Sequence, residues 1–323
     1  MKISYHTIKN NLDTTIGFGN AGFNVVRSLQ RLGYTVPFDD PTAPVQISFN
    51  HPYLYNFHTN QYKIGYSPWE STELPPGWLD KMNSCDEIWA TSDWTASVFR
   101  NAGVSVPVKT YLHGLDPSWQ PIKRERTNVV RFLHMGEPAL RKGGQMAVDA
   151  FRAAFGDRTD VHLTVKAYYQ SNIRAWSPAG FGLPHYNNVS IITENLTGQG
   201  LRRLYAEHDI MVYPSYGEGF GLIPLQALGT GMPVICTHAW APYKRYLRTL
   251  GLSSRLDRSI WSVHPGNVFY PDFEELVQLY IYAFDEVDYL SATFYEQAPE
   301  VHHAFNWDRL TAEVITDLTQ KFA

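Results

Sequence analysis

Two glycine-flanked stretches carry most of the chemistry this chain could perform. The first, HMGEPALRKGGQMAVDAF (134–151), ends an apolar run at Gly136 and sets Arg141 and Lys142 just before Gly143, Gly144 and a helical pattern. Two cations at a strand–loop–helix junction suit a diphosphate. The second, HDIMVYPSYGEGFGLIPLQALGTGMPVICT (208–237), ends a buried strand at Pro214-Ser215 and passes through Gly217-Glu218-Gly219-Phe220-Gly221 into a helix. Glycines there let the backbone come close to a ligand. The free N–H groups and dipole of the helix start favour an anion. Glu218, expected at the loop mouth, would repel a bare phosphate and suits hydroxyl groups instead. Gln226 lies eight residues on, about 12 Å deeper by helix rise, and could meet the far end of an elongated ligand. A phosphate between two hydroxyl-bearing groups describes a nucleotide sugar.

A third glycine pattern, Gly17-x-Gly19-x-x-Gly22, opens GFGNAGFNVVRSLQRLGYTV, with Asp39 and Asp40 following. The spacing is that of a dinucleotide-binding fingerprint, and an NAD-dependent oxidoreductase is the alternative reading it supports. The fingerprint should follow its strand directly, however. Here IKNNLDTTIG separates the glycines from the strand pattern KISYHT. The stretch is therefore expected to form a lip over a cleft, with Gly19, Asn20 and Gly22 near a donor phosphate or an acceptor. Asp39 and Asp40 become turn residues before Pro41.

Three further positions follow strand patterns, where ligands sit in open α/β sheets. His51 ends VQISFNH, where a ligand contact and a structural histidine are both open readings. Trp69 and Glu70 lie in YSPWESTELPPGW. They suit acceptor recognition, by ring stacking and a hydroxyl contact, or equally a packed proline-rich loop.

The elements that would position these groups alternate along the chain. Short strand patterns (KISYHT, YTV, VQISFN, KIGYSP, EIWATS, VKTYLH) interleave with helical ones, Val25, Val26, Leu29 and Leu32 marking the apolar face of the first. The stretch DPSWQPIKRERTN (116–128) breaks the alternation with two prolines and a charge cluster and reads as a linker. The alternation then resumes, with Met146, Ala150, Phe151 and Ala154 on the apolar side of the next helix. This predicts two Rossmann-like α/β domains with parallel sheets facing a central cleft: residues 1–118, a linker at 119–128, and residues 129–302. A closing helix at 303–323 would pack back on the first domain.

RKGG, DIMVYPSYGEGFGLIPLQALGTGMPVI and HGLD together resemble the retaining GT-B glycosyltransferases of family 4, and Asn306-Trp307 is similar to the aromatic pair before that family's last helix. The resemblance covers nearly the whole chain. It implies a C-terminal domain that binds a nucleotide sugar (UDP- or GDP-linked) and an N-terminal domain that binds the acceptor. His51 and Glu218 are then the catalytic candidates, with His51, ahead of His113 in YLHGLD, contacting the transferred sugar. Gly19, Asn20, Arg141, Lys142, Gly219, Phe220, Gly221 and Gln226 are the donor-binding ones, and Trp69 and Glu70 serve the acceptor. Two positions depart from the family pattern. Its Glu-x7-Glu is Glu218-x7-Gln226 here, and Glu137 stands where an arginine is common, which leaves Arg141 and Lys142 as the phosphate cations. An amide can still accept and donate a hydrogen bond. The glutamine and Glu137 prompt a third reading, a catalytically silent nucleotide-sugar binder.

Composition sets the outer limits. The chain has 323 residues, 44% apolar, with a net charge of −4, so a large core is within reach and the basic excess of a nucleic-acid binder is missing. Two cysteines suit a reducing, cytoplasmic setting rather than a disulfide framework. No apolar run approaches the ~20 residues of a membrane span. Without a strand-terminal Asp-x-Asp, a bridging metal and a resident cofactor are not called for; the donor is a co-substrate. The acceptor could be a sugar, a lipid, a protein hydroxyl or a modified DNA base.

Overall fold

The structure is a computed structural model, and it describes residues 1–7, 12, 17–136, 140–167, 186–242 and 249–322. Glu137, Lys244 and Arg245 lie outside these. The first half forms a parallel sheet in the order β1 (Ile3–Thr7), β2 (Val45–Phe49), β3 (Tyr62–Ser67), β4 (Glu87–Ala90), β5 (Val108–Thr110). Every residue of β2 and β4 is buried, as expected of parallel strands covered on both faces. Helices α1 (Gly17–Arg31), α2 (Trp78–Asn83) and α3 (Asp93–Asn101) accompany it. Ser92 caps α3 by accepting from Thr95 N–H at 3.1 Å, and Gly103, at φ +95°, closes it.

The second half forms a six-stranded parallel sheet in the order β11 (Leu250–Leu252), β10 (Val234–Thr237), β9 (Ile210–Tyr213), β6 (Val130–Gly136), β7 (Val161–Ala167), β8 (Val189–Ile192). The chain order reverses between β6 and β9. Such a switch point is where open α/β sheets bind ligands, outside the carboxyl ends of the strands. Helices α4 (Gly144–Phe155), α5 (Gly198–Ala206) and α6 (Leu222–Gly229) complete this layer. An antiparallel pair, β12 (Ser254–Arg258) with β13 (Asn267–Pro271), stands apart.

Helices α7 (Phe273–Asp285), α8 (Val287–Ala304) and α9 (Trp307–Lys321) finish the chain. Asn306 caps α9 by accepting from Arg309 N–H at 3.0 Å. Helix α9 lies against α1, where Asp308 accepts from Ser28 Oγ at 2.7 Å and pairs with Arg31 at 2.6 Å. The closing segment thus crosses back to the first sheet's side. Among the described residues no helix is long and apolar enough to cross a membrane.

Several local expectations change. YTV makes a single isolated bridge, Thr35 with Lys2, instead of a strand. Leu32 is exposed beyond the end of α1, while Ala21 and Gly22 join Val25, Val26 and Leu29 inside. On α4 the inward residues are Ala147, Val148, Ala150, Phe151 and Phe155, a face rotated from the expected one. Helix α2, β11 and the β12–β13 hairpin were not foreseen.

Candidate functional site

The two cation and glycine stretches meet at the switch point. After β6 a 3-10 turn carries Leu140–Lys142, and after β9 the chain runs through Pro214–Gly221. Tyr216 N–H donates to the Arg141 carbonyl at 2.8 Å, and Arg141 Nη1 donates to the Gly217 carbonyl. Gly143 (φ +76°) is needed where α4 begins, because a Cβ there would lie 2.1 Å from the Pro214 carbonyl oxygen.

Glu218 is buried (6% exposed) rather than poised at the loop mouth. Its Oε1 accepts from Lys142 Nζ at 2.7 Å, Ser215 Oγ at 2.8 Å and Tyr213 Oη at 3.0 Å, with Arg141 Nη1 at 3.5 Å. Burial pushes its carboxyl pKa up, but Lys142 and Arg141 outweigh this and hold it below the usual range. Oε1 is saturated by this chain, so any hydroxyl contact falls to Oε2.

The glycine loop approaches protein as closely as a ligand could be approached. A Cβ on Gly217 would lie 2.2 Å from the Glu70 carbonyl oxygen, and one on Gly219 2.4 Å from Pro68 Cβ. Thr91 Oγ1 donates to the Gly219 carbonyl at 2.8 Å. The loops after β3 and β4 of the first sheet are therefore seated on the loop after β9 of the second. Helix α6 starts at Leu222, with Gly221 before it at φ +89°.

Glu70 turns inward at this seam. Its Oε1 lies 3.6 Å from Arg141 Nη2 and its Oε2 3.5 Å from His264 Nε2. Burial raises the Glu70 pKa, yet Arg141, His264 and Lys142 together bring it down to about 2. The expectation of an acceptor hydroxyl on Glu70 is corrected to this extent: the carboxylate is engaged by Arg141 and His264 of the chain. Trp69 needs a plainer correction. It is 2% exposed, donates Nε1–H to the Glu73 carbonyl at 2.9 Å, and packs on Trp78 and His264 at ring-centroid distances of 4.5 and 5.4 Å. It has no open face for an acceptor ring.

His51 follows β2 as expected and is half-buried, with Phe18, Trp78 and Tyr53 at ring-centroid distances of 5.1, 5.3 and 6.0 Å. Its Nδ1 is buried without a hydrogen-bond partner. Burial lowers its pKa, with Glu70 opposing and His264 assisting, so the ring is neutral at pH 7. His113 is more deeply buried, and desolvation takes its pKa down to about 3. It packs on Phe220 at 5.0 Å and Trp307 at 5.7 Å. Phe220 is thereby an apolar plug between the halves, not an exposed donor contact.

Gln226 is half-buried on α6 and accepts from Tyr205 Oη at 3.2 Å. Gly17, Gly19, Asn20 and Gly22 lie within α1, which overturns the expected lip at these residues. A Cβ on Gly22 would lie 3.1 Å from Tyr5 Oη, so this glycine serves helix–strand packing.

Sequence reasoning missed His264, in an aperiodic loop, and the roles of Tyr213 and Ser215. Those two hydroxyls stand five and three residues before Glu218 in a stretch otherwise read as strand.

Comparison with known proteins bears on the same region. Residues 129–246 match the family described as Glycosyl transferases group 1. The chain is 30% identical over 179 residues to the lipopolysaccharide core biosynthesis mannosyltransferase LpsB of Rhizobium meliloti (strain 1021). That match spans 48% of this chain and 46% of the relative, so just under half of either protein is compared. Sucrose-phosphate synthase from Thermosynechococcus elongatus superposes with a TM-score of 0.76 at 13% identity, over 100% of this chain and 99% of that one. Anabaena HepE in complex with UDP and glucose superposes at 0.72 with 12% identity, over 99% and 100%. At these identities the structures speak for the fold alone, and no finding favours the oxidoreductase reading. The chain therefore has the GT-B fold, and its residues 129–246 match the model of the group 1 glycosyl transferases.

Proposed function

We propose that this protein is a glycosyltransferase that moves a sugar from a nucleotide-sugar donor to an acceptor hydroxyl, with retention at the anomeric carbon and without a bridging metal. The observation that carries the reading is the pairing of Arg141 and Lys142 with the 214–221 loop at the β6/β9 switch point. Cations held there can stabilise a diphosphate leaving group. The α6 start adds N–H donors and Gly219 and Gly221 add backbone, with the α1 start, Gly19 and Asn20, as a further wall. Gln226 is assigned to the nucleotide end. Glu218 positions Lys142 through Oε1 and offers Oε2 to a sugar hydroxyl. His51, neutral and with an unpartnered Nδ1, is assigned to the sugar near the reacting carbon. Attack on the face the leaving group departs, or a short-lived ion pair, fits a site with no well-placed nucleophile in evidence among the described residues. The relatives named above, a mannosyltransferase and a UDP-bound fold neighbour, support a sugar-nucleotide donor. Two buried cysteines, Cys85 and Cys236, neither in a disulfide, fit a cytoplasmic location.

The test is a panel of UDP- and GDP-sugars scored for release of the free diphosphate. One donor should release UDP or GDP, and His51→Ala should cut turnover on the order of 10²-fold with diphosphate affinity and melting temperature near those of the parent. Binding of UDP or GDP with no release from any donor would favour the catalytically silent binder. A folded His51→Ala protein with parental turnover would remove His51 from the site.

A further inference from the structure

Arg141 is paired by carboxylates from both halves of the molecule. Glu218 comes from its own domain, and Glu70 reaches in from the loop after β3. Lys142 is paired with Glu218. Among these four groups positive and negative charges balance, so the two carboxylates offset the pull of Arg141 and Lys142 on an incoming diphosphate. Withdrawal of Glu70 alone leaves the cluster cationic. Glu70 is also the member whose position depends on the contact between domains. Its carbonyl rests on Gly217, Thr72 N–H donates to the Asn267 carbonyl at 3.0 Å, and Asn267 N–H donates back to Thr72 Oγ1 at 2.8 Å. His264, from the loop entering β13, holds the other oxygen of the same carboxylate.

We propose that Glu70 is a displaceable internal anion: it occupies the donor's phosphate cation Arg141 while the site is empty, and the donor's diphosphate must expel it to bind. The inference rests on the assignment of Arg141 and Lys142 to the diphosphate. It reassigns Glu70 from an acceptor contact to an occupant of the donor site. Exchange of one anion for another also links donor entry to loosening of the 68–73 loop from the 217–219 and 264–267 loops. A carboxylate is a fitting stand-in for phosphate, because guanidinium binds both through the same planar donor fork.

The experiment is calorimetric titration of the full chain with inorganic pyrophosphate and with UDP. Glu70→Gln keeps the shape and removes the charge, and should tighten pyrophosphate about tenfold, the factor carried by one partly buried charge contact. Glu70→Asp, which keeps the charge but draws it back from Arg141, should tighten it less. A residue that merely supported the fold would weaken binding when replaced. The pyrophosphate-induced rise in melting temperature, taken against each variant's own baseline, reads the same effect if Glu70→Gln is less stable. If Arg141→Ala weakens pyrophosphate binding while Glu70→Gln fails to tighten it, the displaceable anion is refuted and the donor site stands. If Arg141→Ala leaves binding unchanged, the phosphate assignment falls and this inference falls with it.

Discussion

The two halves of the molecule touch along two seams of opposite chemistry. One is ionic: Glu70, Arg141, Lys142, Glu218 and His264 meet beside the glycine loop. The other is apolar: His113, Phe220, Phe305 and Trp307 pack together, and Leu115 N–H donates to the Phe305 carbonyl at 2.7 Å. Gly114 is required there, since a Cβ would lie 2.5 Å from Trp307 Cγ. An apolar seam loses on opening the burial it gained, and no ligand replaces it. Charge pairs can be exchanged for pairs with a ligand at little net cost. The difference assigns the aromatic seam to holding the halves together and the ionic seam to responding to the donor.

The comparison is broken most directly at Trp307. Trp307→Ala should destabilise the protein by about 3–5 kcal/mol, the range for a buried aromatic, measurable by chemical denaturation. A variant as stable as the parent would deny the aromatic seam its structural role. Lys142→Ala should do the reverse, weakening UDP or GDP binding by about 1.5–3 kcal/mol and nearly abolishing transfer, with a smaller change in stability. Titration that gives the parental affinity would take Lys142 out of the donor site.

Acid should separate the seams by pH window. The His113 pKa is depressed from 6.5 to about 3 in the folded chain, and those of His134 and His208 to about 4, burial being the main cause in each. Below pH 6.5 the unfolded chain takes up protons that the native rings refuse. Their contribution is present above that pH and lost as pH falls toward 3–4, by up to about 1.4 kcal/mol per pH unit for each group. Glu70, lowered from 4.5 to about 2, loses its contribution only below pH 4.5. Thermal melts between pH 7 and 5 should therefore report the buried histidines, and His113→Phe should flatten the slope. An unchanged slope would show that His113 protonates without opening the seam.

The smallest effect is expected at Gln226. Gln226→Ala should weaken UDP or GDP binding by about 0.5–1.5 kcal/mol, and Gln226→Glu should retain or improve it. Parental affinity in both would turn Gln226 away from the nucleotide, leaving it as the partner of Tyr205.

By itself the sequence determined the α/β alternation, because parallel strands buried on both faces read as short, largely apolar runs, IMVY being the clearest. It also determined that cations and a glycine loop follow two strands of one domain, since RKGG and GEGFG are local. Faces were legible where periodicity was strong, as at Val25, Val26 and Leu29, and failed at Leu32, where the helix had ended. What Gly217 and Gly219 accommodate, and that His264 reaches Glu70, only the tertiary structure decided. Those partners are 68–73 and 264–267, far away in the chain and aperiodic. Their approach depends on how two sheets dock, and docking is fixed by the sum of buried contacts along both seams, not by any local run of residues. The same holds for Glu218. Its residue type announced a carboxylate beside a glycine loop, and Tyr213 and Ser215 are local donors to it, but Lys142 was brought there by the pairing of β6 with β9.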